Sequence, residues 1–114
     1  MTLDDYREKV LAIREARDWK QFHNPKDMAL SLVLEATELL EIFQWKREAE
    51  FETVLKEKRE EIEGELADVF YWVTIIANDL GINLLEASNR KLAILEQKYP
   101  VDKARGVAKK YTEL

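Results

Sequence analysis

The stretch EATELLEIFQW, residues 35–45, sets three carboxylates three apart beside an apolar run. Residues on an α-helix advance about 100° each. With Glu35 at zero, Glu38 falls at about −60°, Trp45 at about −80° and Glu41 at about −120°. Met28, Leu32, Leu39 and Phe43 fall between about +20° and +80°, and Ala29, Val33 and Leu40 continue that side. The acids therefore form a line along the border of a broad apolar face. Residues 61–80 repeat the design. With Leu66 at zero, Ile62, Val69, Phe70, Val73, Ala77 and Leu80 lie within about 60° of it. Glu61, Glu65, Asp68 and Trp72 gather at about −100° to −160°. Each acidic line carries a tryptophan.

Carboxylates brought this close raise one another's pKa unless a cation sits among them. The hard ions Mg²⁺ and Mn²⁺ take oxygen ligands, and the chain offers many oxygens and no thiol. Such an ion can bridge phosphate oxygens and activate water, which is the chemistry of phosphoanhydride hydrolysis. Glutamate is also a good helix former, and ExxE pairs occur on solvated faces. Spacing alone leaves both readings open.

The elements that must position these acids are helices. Leu3, Tyr6, Val10, Ile13 and Arg17 recur at helical spacing over residues 3 to about 19, with Thr2 as N-cap and Asp4 and Asp5 in the first turn. FHNPKD breaks the chain, because Pro25 biases Asn24 away from helix, and Asn24 then caps a second helix over about 26–44. The charge-rich residues 46–59 read as a connector or short helix. A third long helix is expected over about 56–80, ending at Gly81, and a fourth over about 84–98, capped by Asn83 and stopped at Tyr99-Pro100. Nothing alternates as a strand does. The expectation is an all-α fold, most simply a four-helix bundle, in one domain of residues 1–114.

Composition narrows the function. The chain is 46% hydrophobic and 36% charged, as suits a folded helical protein, and its net charge of −5 disfavours binding to a nucleic-acid duplex. The absence of cysteine removes disulfides and thiolate metal sites, and the single His23 removes His-rich zinc and iron sites. A di-iron carboxylate bundle would need ExxH pairs, and there are none. The start, MTLDDYREK, is not a secretory leader, and VFYWVTIIAN is about half a membrane span. A soluble, cytoplasmic protein is expected.

EATE (35–38), then 26 residues, then ELAD (65–68), resembles the ExxE…ExxD signature of the MazG-like all-α nucleotide pyrophosphohydrolases. RDWKQFHNPKDMALSLVLEATELLEIFQWK looks like the dCTP-pyrophosphatase branch, and GELADVFYWV and KYPVDKARG extend the likeness over nearly the whole chain. The resemblance implies Mg²⁺-dependent conversion of a (deoxy)nucleoside triphosphate to monophosphate and pyrophosphate. It also implies a homodimer or a dimer of dimers, with sites where subunits meet. It assigns Glu35, Glu38, Glu65 and Asp68 as metal ligands. His23, Trp45 and Trp72 match positions near the nucleoside, Trp72 standing where tyrosine is frequent. Lys91 and Lys98 match basic positions facing the phosphates, and Arg105 is a weaker match. Glu38 and Glu41 are both candidates to orient the attacking water. One departure is Leu95, at a position frequently asparagine, which bears on substrate preference more than on reaction type. The competing reading is a noncatalytic helical module that binds nucleotide or docks a partner.

Overall fold

The structure is a computed structural model describing residues 1–114. Its regular elements are all helical: α1 (Leu3–Ala16), α2 (Pro25–Phe43), α3 (Phe51–Glu57), α4 (Arg59–Asp79), α5 (Leu84–Lys98) and α6 (Val101–Ala104), with short 3₁₀ turns at Lys20–Phe22, Glu48–Glu50 and Tyr111–Glu113. No helix is long and apolar enough to cross a membrane.

Local chemistry sets the helix starts. Thr2 Oγ1 accepts from the Asp5 amide at 3.1 Å while the Thr2 amide donates to Asp5 Oδ2 at 2.8 Å, closing a reciprocal cap on α1. Asn24 caps α2 by accepting from the Asp27 amide at 2.9 Å, and Pro25 occupies the first turn, where its missing N–H costs nothing. Asn83 caps α5 in the same way. Gly81, at φ +66°, follows the end of α4 in the left-handed region that glycine enters freely.

The chain forms two compact units, Met1–Gly81 and Ile82–Leu114. In the first, α2 packs chiefly against α4, and α1 lies on α4. The core is small. Val10, Met28 and Ile75 are its buried centre, with Tyr6, Tyr71, Trp72 and Ile76 packed around them. The second unit holds α5, α6 and the last turn. There the Tyr99 and Tyr111 rings meet edge to face at 6.1 Å, and Lys98 Nζ lies 4.5 Å from the centre of the Tyr111 ring.

Three expectations need correction. The first helix stops at Ala16 and not near residue 19, because Asp18 turns into positive φ (53°). The third long helix does not begin at 56: α3 ends at Glu57, Lys58 interrupts, and α4 starts at Arg59. The apolar face centred on Leu66 is only partly buried in this chain. Leu66 is 52% exposed, and Phe70 and Leu80 are exposed with it; Ala77 of that face is buried and Ile62, Val69 and Val73 are half-buried, while the other buried positions of α4 are Thr74 and Ile75, beside Tyr71 and Trp72. On α2, Leu30, Val33, Leu34 and Leu40 are also exposed. Helical periodicity marks these residues as apolar without saying which surface covers them.

Candidate metal centre and nucleotide cleft

Glu35 and Glu38 project from successive turns of α2, and Glu65 and Asp68 from successive turns of α4. Because those two helices pack together, one carboxylate oxygen from each residue falls within 4.8 Å of the other three. Glu35 and Glu65 are half-buried, while Glu38 and Asp68 are exposed. Glu35 Oε2 and Glu65 Oε2 are buried and have no hydrogen-bond partner. A buried carboxylate oxygen left unpaired is costly, and no lysine or arginine forms an ion pair with any of the four.

The electrostatics express this crowding. Burial, followed by the charges of Asp68 and Glu38, pushes the Glu35 carboxyl up to about 7 from an ordinary 4.5. Glu65 is also raised, by burial first and then by Glu38, with Asp68 and Glu41 adding to it. Glu38 stands between Glu35 and Glu65, where either, when protonated, can donate a hydrogen bond to it. The donor set therefore fits a hard divalent ion. It is all oxygen, it carries excess negative charge, and two of its oxygens are shielded from water and unsatisfied.

Glu35 and Asp68 also line an open cleft of about 540 Å³, together with Ile13, Trp19, Phe22, His23, Tyr71 and Trp72. Its wall is aromatic. His23 and Trp72 meet edge on at 5.3 Å, and Tyr71 and Trp72 are perpendicular at 5.3 Å. Polar acids at one part and flat apolar rings at another suit a ligand with a charged end and a heteroaromatic end.

Of the residues singled out in the sequence, Glu35, Glu38, Glu65 and Asp68 come together, and His23 and Trp72 join Glu35 and Asp68 at the cleft. Glu41 is exposed, stands outside the four-acid cluster, and is near enough to raise Glu65 by its charge. Trp45 does not line the cleft within this chain. It follows the end of α2 at φ +67° and is 90% exposed. Lys91, Lys98 and Leu95 are exposed on α5, and Arg105 follows α6, all in the second unit.

Sequence reasoning passed over Trp19, Phe22 and Tyr71 in the cleft and the buried Arg14 behind it. Trp19 and Phe22 sit in the break around a 3₁₀ turn, where periodicity assigns no face. Arg14 did leave a signal: it continues the run Tyr6, Val10 at spacing four, and the core face of α1 includes it where Arg17 was expected.

Residues 30–114 match the model of the MazG-like family. The chain is 38% identical to rat (Rattus norvegicus) dCTP pyrophosphatase 1 over 99% of its own length and 68% of the relative's. It is 36% identical to the human (Homo sapiens) protein of that name over the same shares. Among solved structures it resembles a pyrophosphatase from Archaeoglobus fulgidus, with a TM-score of 0.82 and 38% identity over 85% of this chain and 91% of that one. The chain belongs to the MazG-like family.

Proposed function

We propose that this protein is a nucleoside triphosphate pyrophosphatase that converts dCTP, or a modified dCTP-like nucleotide, to the monophosphate and pyrophosphate with Mg²⁺ as cofactor. The enzyme class rests on family membership and on similarity to dCTP pyrophosphatases along nearly the whole chain. The observation that carries the reading is the four-carboxylate cluster, with two orphaned buried oxygens, opening onto an aromatic cleft. We read residues 1–114 as one functional domain.

Glu35, Glu38, Glu65 and Asp68 would hold the metal. Mg²⁺ bound there supplies positive charge against the negative charge that builds on the phosphate oxygens. The chain's own groups do the rest. Glu35 and Asp68 border the cleft, so the acid cluster and the nucleotide's phosphates meet at one place. Glu38, exposed beside the two half-buried acids, and Glu41, also exposed, are the groups that can accept a proton from the attacking water at a carboxylate oxygen. The water oxygen bonds to the α-phosphorus, the bond from that phosphorus to the bridging oxygen breaks, and pyrophosphate leaves. Trp72 and Trp19 supply faces for the base, and Trp45, Lys91 and Lys98 keep the roles that the resemblance implies. The exposed apolar residues of α2 and α4 support a homo-oligomer, a dimer or a dimer of dimers, since covering Leu66, Phe70 and Leu40 removes that surface from water.

The test is pyrophosphate release from a panel of ribo- and deoxyribonucleoside triphosphates, including 5-substituted dCTP analogues, with Mg²⁺ and with EDTA. Metal-dependent release with a cytosine deoxynucleotide at the head of the rank order is expected. Nucleotide binding without turnover across the panel would overturn the reading in favour of a binding module.

A further inference from the structure

His23 borders the cleft, and the atoms behind it decide what it can offer. Arg14 is buried in the first unit, its side chain 5% exposed, and forms a two-pronged ion pair with Asp79, whose side chain is 13% exposed. Arg14 NH1 donates to Asp79 Oδ2 at 2.8 Å and NH2 to Oδ1 at 2.9 Å. The same NH1 lies 3.4 Å from His23 Nδ1. A guanidinium has only protons to give. Nδ1 must therefore present its lone pair to Arg14, and a neutral His23 ring carries its proton on Nε2. Nε2 has no partner in the protein and is not sealed from solvent. The Trp72 ring, edge on at 5.3 Å, holds the imidazole from the side.

We propose that Arg14 and Asp79 act as a positioning pair that fixes His23 in its Nε2–H form, so that His23 offers one neutral donor to an acceptor on the nucleoside portion of the substrate. This rests on the cleft being the nucleotide site, as argued above. Asp79 holds the guanidinium flat and in place, and the guanidinium in turn excludes the Nδ1–H tautomer and disfavours imidazolium. Burial and the Arg14 charge both lower the His23 pKa, outweighing the opposing charge of Asp79. A fixed donor discriminates by what it faces. It donates to a ring carbonyl or an unprotonated ring nitrogen and leaves a facing donor group unpaired.

His23 is the single histidine of the chain, so one imidazole accounts for all histidine side-chain signals in a long-range ¹H–¹⁵N correlation spectrum. In the wild-type protein without ligand, Nδ1 should show the shift of an unprotonated ring nitrogen and Nε2 that of a protonated one, across neutral pH. Wild-type spectra showing Nδ1–H, or a free exchange of tautomers, overturn the proposal with no variant needed. In Arg14→Met/Asp79→Leu, which replaces the pair by apolar side chains, the tautomers should mix. KM for dCTP should then rise about three- to tenfold with kcat little changed, as for the loss of one neutral hydrogen bond. Arg14→Lys, which keeps a donor, should restore part of the difference. An unchanged tautomer and KM in the double variant also overturn it. Failure of the wild type to hydrolyse dCTP would count against the functional reading and leave the tautomer result standing.

Discussion

Two charge clusters serve the same cleft on opposite terms. Arg14 and Asp79 form a closed unit, opposite charges sharing two hydrogen bonds of 2.8 and 2.9 Å with little exposure. Glu35, Glu38, Glu65 and Asp68 form an open one: four like charges, two oxygens buried without partners, and no cation from the chain among them. The first is complete in the polypeptide, and its role is to hold geometry. The second is held together by the packing of α2 on α4 against its own repulsion, which is what a site completed by a ligand requires. Charge removal should therefore have opposite consequences in the two places.

The largest effect is expected on catalysis. Glu38→Gln/Asp68→Asn should lower kcat/KM for pyrophosphate release by at least about a hundredfold, since even outer partners of metal ligands act on that scale. Near-wild-type turnover in this variant would put the metal elsewhere. Next comes stability at the closed pair. Arg14→Met strands the Asp79 carboxylate in a nearly buried position and should cost about 3–5 kcal/mol in urea unfolding, whereas Arg14→Met/Asp79→Leu should recover most of it. A single variant as stable as wild type would show that the buried pair contributes little to stability.

The pH dependence of the metal-free protein sharpens the contrast. The Glu35 carboxyl is raised to about 7, so the stability it contributes is fully present below its ordinary 4.5 and is lost as pH rises through 7. Asp79 is lowered, chiefly by the hydrogen bonds from Arg14, so its contribution is present above its ordinary 3.8 and is lost as pH falls through its folded value. Melting in EDTA should therefore peak in mildly acid solution and decline toward neutrality, and Mg²⁺ should remove the neutral-side decline. A melting temperature that climbs from pH 5 to 7 in EDTA would contradict the raised carboxyl. The smallest effect belongs to Trp45, which is 90% exposed at φ +67°. Trp45→Gly should leave stability unchanged or higher by about 1 kcal/mol, because glycine carries no cost in that region. If Trp45 meets the nucleoside across a subunit boundary, KM should rise in the same variant. Loss of folding would show that the ring is an anchor.

The open cluster was the more legible of the two in the sequence. Its acids repeat at three along helices whose caps, Asn24 with Pro25 and the closing Gly81, are written in the adjacent residues, so spacing alone aligns them. The closed pair joins positions 65 residues apart, and no local pattern links Arg14 to Asp79. The face around Leu66 reads as apolar in the sequence but is only partly covered within the chain, because periodicity reports that a face avoids water and not what covers it. The break at Lys58 leaves no mark in the sequence, because it lies within a charge-rich run that has neither glycine nor proline. Trp19 and Trp45 sit in turns, where a side chain's direction depends on a few backbone angles and not on a repeat.

The central claim, that the acid cluster is incomplete until a cation binds, is tested most directly by thermal melting of wild type and Glu38→Gln/Asp68→Asn, each in EDTA and in Mg²⁺. The wild type should gain several degrees with Mg²⁺, because a ligand that binds only the folded state stabilises it. The double variant, relieved of like charge, should melt higher than wild type in EDTA and gain little from the metal. Equal Mg²⁺ shifts in the two proteins, with the variant no more stable than wild type in EDTA, would contradict it.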